Sequence, residues 1–214
     1  MKWMRIPLGL LQTNAYILTN DKNECILFDP GDEGEKLIEV LRKHQLTPLA
    51  ILLTHAHFDH IGAIDDVRKV WNIPVYVHEK EQKWLGDPSL NGSGHFMNGK
   101  NVMVEEADEI IREEGSLTIG SFQFSLFETP GHSPGSISYY LEEANAVFSG
   151  DVLFKGSIGR TDLLGGNHEE LLKSIHEKLL VLPEETIVLP GHGSETTIIE
   201  EMETNPFLNG FSLS

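Results

Sequence analysis

The apolar positions along the chain alternate between two periods. QTNAYILT (12–19) and ECILFD (24–29) have the composition of strands, and Asn20-Asp21-Lys22-Asn23 supplies a turn between them. Over 33–45, Leu37, Ile38 and Leu41 fall on one face of a helix. LAILLT (49–54) is a continuous apolar run, as expected of a strand covered on both faces. Helical spacing returns over 60–71 with Ile64, Val67, Val70 and Trp71, and IPVYV (73–77) reads as a short strand. The polar stretch 86–100, GDPSLNGSGHFMNGK, predicts a long loop. FQFSLFET (122–129), SISYYL (136–141), ANAVFSG (144–150) and ETIVLP (185–190) read as further strands, with Tyr139 and Tyr140 pointing to opposite faces so that one of them lies inward. A helix over 167–182 has Asn167 as N-cap, Glu170 three residues on, and a stripe of Leu171, Leu172, Ile175 and Leu179. The segment 194–204 predicts a polar helix stopped by Asn205-Pro206.

Strands alternating with helices indicate an α/β protein. Neither a repeat nor a break in composition divides the sequence, so one domain over 1–214 is expected. The charge changes the picture of partners. With 16 basic and 33 acidic residues the formal net charge is −17, which repels phosphate backbones and argues against nucleic acid. The N-terminal MKWMRIPLGLLQTN is interrupted by Pro7 and Gly9 and cannot supply a secretory apolar core, and no run approaches a membrane span. The lone Cys25 excludes an intrachain disulfide, and it is expected buried and inert. A cytoplasmic protein acting on a small molecule is expected, without membrane partners; oligomeric state is not legible.

The candidate chemistry follows the strands. ILLTH ends at His55, LFETPGH at His132, AVFSGD at Asp151 and TIVLPGH at His192. Each apolar run thus delivers a metal-capable side chain at its carboxyl end, where ligands gather in layered α/β folds. His55 and His57 are two apart and project to one side of an extended chain, whereas Asp59 and His60 follow after the chain has turned. His55, His57, Asp59, His60, His132, Asp151 and His192 make seven donors, too many for one tetrahedral zinc and suited to two metal ions sharing a carboxylate. The other five histidines have simpler explanations. His44 and His176 lie on helices, His78 follows a strand at the surface, His168 opens a helix, and His95 sits in the polar loop.

THAHFDH (54–60), PGHSPGS (130–136), Gly150-Asp151 and the Pro-Gly-His of 190–192 resemble the motifs of the metallo-β-lactamase superfamily. QTNAYIL (12–18), FDPG (28–31) and GDVLFKGSIGRTDLLGG (150–166) extend the resemblance to its glyoxalase II-like branch. The resemblance implies a four-layer αβ/βα sandwich of two mixed β-sheets flanked by helices. It places His55, His57 and His132 on one metal, Asp59, His60 and His192 on a second, and Asp151 as the bridge. Full-length glyoxalase II enzymes carry a C-terminal helical extension that grips glutathione. Only 22 residues follow His192 (214 minus 192), so a short form without that clamp is expected.

Two divalent ions, zinc first with iron or manganese as alternatives, would lower the pKa of a bridging water and supply a hydroxide to attack a carbonyl carbon, with Asp59 orienting it. A thioester of the hydroxyacyl-thiol (S-lactoylglutathione-like) kind suits such a site, because a thiol of pKa about 8.5 leaves without a dedicated acid. Arg160 in GSIGRTD either braces its loop against Asp162 or meets an anionic substrate. Asp29 in FDPG is expected to fix a turn beneath the site. A mononuclear iron persulfide dioxygenase of the same fold, using His55, His132 and Asp151 as a two-histidine, one-carboxylate triad, is the alternative.

Overall fold

Hydrophobic alternation begins earlier than the sequence pattern suggests. In a computed structural model, which describes residues 1–209, Pro7 and Gly9 do not prevent a strand. β1 (Lys2–Leu8) pairs antiparallel with β2 (Thr13–Thr19) in unbroken register from Lys2↔Thr19 to Leu8↔Thr13. Proline is tolerated there because β1 is the sheet's edge. The described residues divide into two compact units, Met1–Arg112 with Ile119–Ser121, and Glu113–Thr118 with 122–209.

The first unit is a six-stranded mixed sheet in the order β1-β2-β3-β4-β5-β6. β3 (Glu24–Phe28) is antiparallel to β2, and β4 (Thr47–Leu52), β5 (Val75–His78) and β6 (Glu109–Ile111) continue parallel to β3. Parallel neighbours need crossovers, and helices supply them. α1 (Gly34–Lys43) joins β3 to β4 and buries Leu37 and Leu41 completely. Each such side chain contributes about 1.5–3 kcal/mol of burial. The helix expected over 60–71 is two helices, α2 (Phe58–Ile61) and α3 (Ile64–Trp71). The break has a local cause: Gly62 N–H donates to Gly31 O and Ala63 N–H to Pro30 O, each at 2.9 Å, which draws two amides out of the helical ladder. The polar loop after β5 contains a 3₁₀ helix at Glu79–Trp84 and one turn of helix, α4 (Ser93–Phe96). As the apolar run predicts, Ala50, Ile51 and Leu52 of β4 are fully buried.

The second unit holds a six-stranded mixed sheet in the order β14-β13-β10-β9-β8-β7 and a separate small hairpin. Its strands are β7 (Gly115–Ile119), β8 (Phe122–Glu128), β9 (Ile137–Leu141), β10 (Ala146–Gly150), β13 (Ile187–Pro190) and β14 (Thr196–Thr197). β11 (Leu153–Phe154) and β12 (Ser157–Ile158) form the hairpin. α5 (His168–Ser174) starts at Asn167, whose side chain accepts from Glu170 N–H as the capping pattern predicts, and it widens into a π-helical turn over Ile175–Leu179. α6 (Ile198–Thr204) ends before Asn205-Pro206 as expected. Tyr139 and Tyr140 correct one expectation, since both are buried. Tyr139 meets Phe124 edge-on, while Tyr140 stacks on Phe127 and donates its hydroxyl to Asn145 Oδ1. β9 is covered on both faces, so alternation does not expose either ring.

Two mixed sheets with their helices agree with the expected α/β class. Among the described residues, no helix is long and apolar enough to cross a membrane.

Candidate metal centre

Strand direction determines what collects at each sheet edge. In the first unit β3, β4 and β5 run parallel and end at one edge, and β2, antiparallel to β3, begins there. That edge receives Thr13 from β2, Asp29 after β3, and the segment Thr54–His60 after β4. The FDPG turn packs directly under this segment. A Cβ on Gly31 would lie 1.8 Å from the carbonyl oxygen of Asp59, so only glycine permits the approach.

A hydrogen-bond network then sets the histidines. Asp29, in the left-handed region at φ 46°, accepts Thr54 N–H on Oδ1 at 2.8 Å and the Thr54 hydroxyl on Oδ2 at 2.6 Å. Oδ2 also lies 3.0 Å from His60 Nδ1. A carboxylate only accepts, so His60 is protonated on Nδ1 and carries its lone pair on Nε2. The Thr54 proton is committed to Asp29, so Thr54 Oγ1 accepts from His55 Nδ1 at 3.1 Å, and His55 likewise presents Nε2. The rings of His55 and His57 meet edge-on at 4.7 Å, and those of His55 and His60 lie 4.1 Å apart. All three are buried. Thr13 donates its hydroxyl to Asp59 Oδ2 at 2.7 Å, and the same oxygen is 3.5 Å from His60 Nε2.

The second unit repeats the arrangement. β8 and β10 are each antiparallel to β9, and β13 is parallel to β10, so β8, β10 and β13 share one direction and one carboxyl edge. It receives His132, Asp151 and His192. His132 donates Nδ1–H to the carbonyl of Arg160 at 2.8 Å and so turns Nε2 toward Asp151. Asp151 Oδ2 stands 3.6 Å from His132 Nε2 and 3.5 Å from His192 Nε2. The β11–β12 hairpin returns the chain to this point. A Cβ on Gly159 would fall 1.9 Å from the Asp151 carbonyl oxygen and 3.2 Å from His132 Cβ.

These separations test the fit to a metal. Charge-assisted hydrogen bonds are about 2.7–2.9 Å long. Two donors about 2.1 Å from one ion at a tetrahedral angle stand roughly 3.4 Å apart. The His60–Asp59, His132–Asp151 and His192–Asp151 pairs, at 3.5, 3.6 and 3.5 Å, match the second spacing better than the first. Imidazole nitrogens of set tautomer with carboxylate oxygens are the donors of zinc, iron and related ions.

The first unit therefore gathers His55, His57, Asp59 and His60, and the second gathers His132, Asp151 and His192. All seven belong to groups of donors suited to a metal ion. Arg160 enters through its backbone. Its exposed guanidinium makes two bonds to Asp162, at 2.8 and 2.9 Å, and holds that carboxyl down at about 2, while its carbonyl orients His132. His44, His95, His168 and His176 are exposed, as their sequence contexts suggest. His78 corrects the expectation of a surface residue: it is buried, and Nδ1 accepts Lys80 N–H at the start of the 3₁₀ helix. Cys25 is buried, which pushes its thiol up to about 12. Thr13 and Thr54 lie within QTNAYIL and THAHFDH, but their roles, like that of Glu81, are not anticipated from the sequence. Thr54 precedes the first histidine and was the most readable of them, whereas Thr13 and Glu81 act across 46 and 25 positions of sequence.

An α/β scaffold that gathers imidazoles and carboxylates at its strand ends is a frame for metal-dependent chemistry. The chain belongs to the metallo-β-lactamase superfamily, whose family model matches residues 8–192. It is similar to a probable metallo-hydrolase, YqgX, of Bacillus subtilis, with 60% identity over 213 residues and all of both chains covered. It is 36% identical to the hydroxyacylglutathione hydrolase GloC of Haemophilus influenzae, over 97% of this chain and 98% of that one. Among solved structures it is similar to the BLEG-1 B3 metallo-β-lactamase, with a TM-score of 0.96, 59% identity, and 98% and 100% of the two chains covered. TTHA1623 in a di-iron-bound form gives a TM-score of 0.84 at 41% identity, covering 96% of this chain and 100% of that one. ETHE1 from Myxococcus xanthus gives 0.77 at 27%, covering 100% and 92%.

Proposed function

We propose that the seven donors serve a pair of divalent metal ions and that the protein hydrolyses a thioester of the hydroxyacyl-thiol class. In this reading His55, His57 and His132 hold one ion, Asp59, His60 and His192 hold the other, and Asp151 is shared. The observation that carries it is Asp151 Oδ2, which stands 3.6 and 3.5 Å from the Nε2 atoms of two histidines assigned to different ions. Such a pair of ions, when bound, supplies a nucleophile at neutral pH and polarises the substrate carbonyl.

The chain's own groups do the rest. Asp29 and Thr54 hold protons on the Nδ1 atoms of His60 and His55, and the Arg160 carbonyl does the same for His132. Asp59, fixed through one oxygen by Thr13, is the carboxylate placed to orient an attacking water. A thiolate departs without a proton donor, whereas an amine needs one, and Thr13, Thr54 and Asp29 are already engaged with the ligands. Likeness to GloC supports the thioester class.

Two other activities have a specific observation in their favour. Likeness to BLEG-1 favours β-lactam cleavage, and the two-histidine, one-carboxylate set of His55, His132 and Asp151 favours oxygen chemistry at a single iron. The test is metal content of protein from its native host together with turnover of S-lactoylglutathione, a cephalosporin, and glutathione persulfide under an oxygen electrode. Two metals per chain with fastest turnover of the thioester are expected. One iron with oxygen uptake, or a cephalosporin cleaved faster than the thioester, overturns the reading.

A further inference from the structure

The same sheet edge that collects the first unit's donors also receives a group that no metal assignment uses. β5 is parallel to β4 and ends beside it, and the chain turns at once into the 3₁₀ helix Glu79–Trp84. Side chains three residues apart eclipse on a 3₁₀ helix, so Glu81 and Trp84 share a face. Glu81 is completely buried, and its Oε2 accepts the backbone N–H of Ala56 at 2.6 Å. Ala56 is the residue between His55 and His57. Trp84, also buried, lies with its ring 5.5 Å from that of His57, tilted by 42°.

A buried carboxylate is costly unless it makes strong bonds, and an apolar side chain would cover this edge more cheaply. What an apolar residue cannot do is fix the peptide that joins two ligands. We infer that Glu81 and Trp84 are positioning residues that clamp the His55–Ala56–His57 segment for metal binding. The inference rests on the reading that His55 and His57 hold an ion. Glu81 sets the backbone from which both rings project, Trp84 limits rotation of the His57 ring, and Thr54 fixes His55 from its own Nδ1.

Metal-free wild type, E81A, E81Q and W84L are titrated with zinc against a chromophoric chelator, with the thermal midpoint of each apo form recorded. Removal of an outer partner of a metal ligand typically weakens affinity about 10–100-fold, and that loss is expected for E81A. E81Q, whose amide oxygen still accepts from Ala56, should bind close to wild type, and W84L should weaken binding as well. Should E81A fail to fold, a W3F/W71F protein decides the matter: its single remaining indole should be quenched by the first equivalent of cobalt. E81A and W84L that fold and bind zinc as tightly as wild type overturn the clamp alone, as does an unquenched indole in cobalt-loaded protein. Wild type that binds no metal overturns the hydrolase reading and the clamp with it.

Discussion

Asp29 Oδ2 accepts the Nδ1 proton of His60 at 3.0 Å in a place where neither side chain reaches solvent. The same oxygen takes the Thr54 hydroxyl, and Thr54 in turn receives His55 Nδ1. One carboxylate thus assigns the tautomer of two histidines that come from the other side of a turn.

D29N isolates that role. Asparagine tolerates the left-handed backbone that Asp29 adopts at φ 46°, so the turn survives. The amide can accept from only one of its two atoms, and a donated amide proton would force His60 to accept on Nδ1 and turn Nε2 into a donor. Metal affinity should fall about 10–100-fold and activity with it, with far-ultraviolet circular dichroism unchanged. Competition with a chelator measures the first, and wild-type affinity in D29N would show that the network is only structural.

G159A attacks the second set of donors through packing. Its new methyl would sit 1.9 Å from the Asp151 carbonyl oxygen, against backbone rather than a side chain that can swing away. Overpacking of this kind costs about 1–3 kcal/mol. The backbone shift that relieves it moves Asp151 or His132, so G159A should lose thermal stability and metal content together. A neighbouring control, G156A, meets no atom within 4 Å; Gly156 has a φ of +68°, so its strain should lower stability while leaving metal content intact.

These two glycines also mark how far the sequence could be read. Four of the candidate donors, His55, His132, Asp151 and His192, were legible because each terminates an apolar run, and strand ends are where parallel elements bring residues together; His57, Asp59 and His60 were legible because they follow directly on the first of these. Asp29 was legible as a turn residue within FDPG, but its reach to Thr54 and His60 was not, since it depends on the lateral pairing of β3 with β4. Glu81 looks like any charged residue in a polar turn. Its partner is the N–H of Ala56, in the segment after the neighbouring strand β4, and no local pattern announces a partner so placed. Periodicity missed β1, because a proline on an edge strand breaks the pattern without breaking the strand. It also merged α2 with α3, whose break is made by carbonyls of the FDPG turn.

The Arg160–Asp162 pair separates a side chain from its backbone. R160A removes the guanidinium but keeps the carbonyl that orients His132, so zinc affinity should stay near that of wild type. Asp162 should respond instead. Its carboxyl is held at about 2 by Arg160, and its ordinary value is 3.8. A depressed folded pKa contributes stability above the unfolded value and loses it as pH falls through the folded one. The contribution is therefore present above about pH 4 and disappears toward pH 2. Carboxyl titration by nuclear magnetic resonance should find Asp162 raised in R160A. Both groups are exposed, so the thermal midpoint at neutral pH should hardly move.

Cys25 supplies a pH dependence of opposite sense. The thiol is fully buried in β3, and desolvation raises its pKa from 9.0 to about 12. Between those values the unfolded chain has released a proton that the folded chain retains. Stability linked to this group is thus complete below pH 9 and declines as pH rises toward 12. The native thiol should also resist a disulfide reagent at pH 8 and react in step with unfolding in urea, because the thiolate is the nucleophile and burial disfavours it. C25A should flatten the alkaline limb of the stability profile while leaving a cavity penalty of about 1 kcal/mol at every pH. An alkaline limb of unchanged slope in C25A would assign that loss to other groups, and stopped-flow reaction of native protein at pH 8 would place the thiol at the surface.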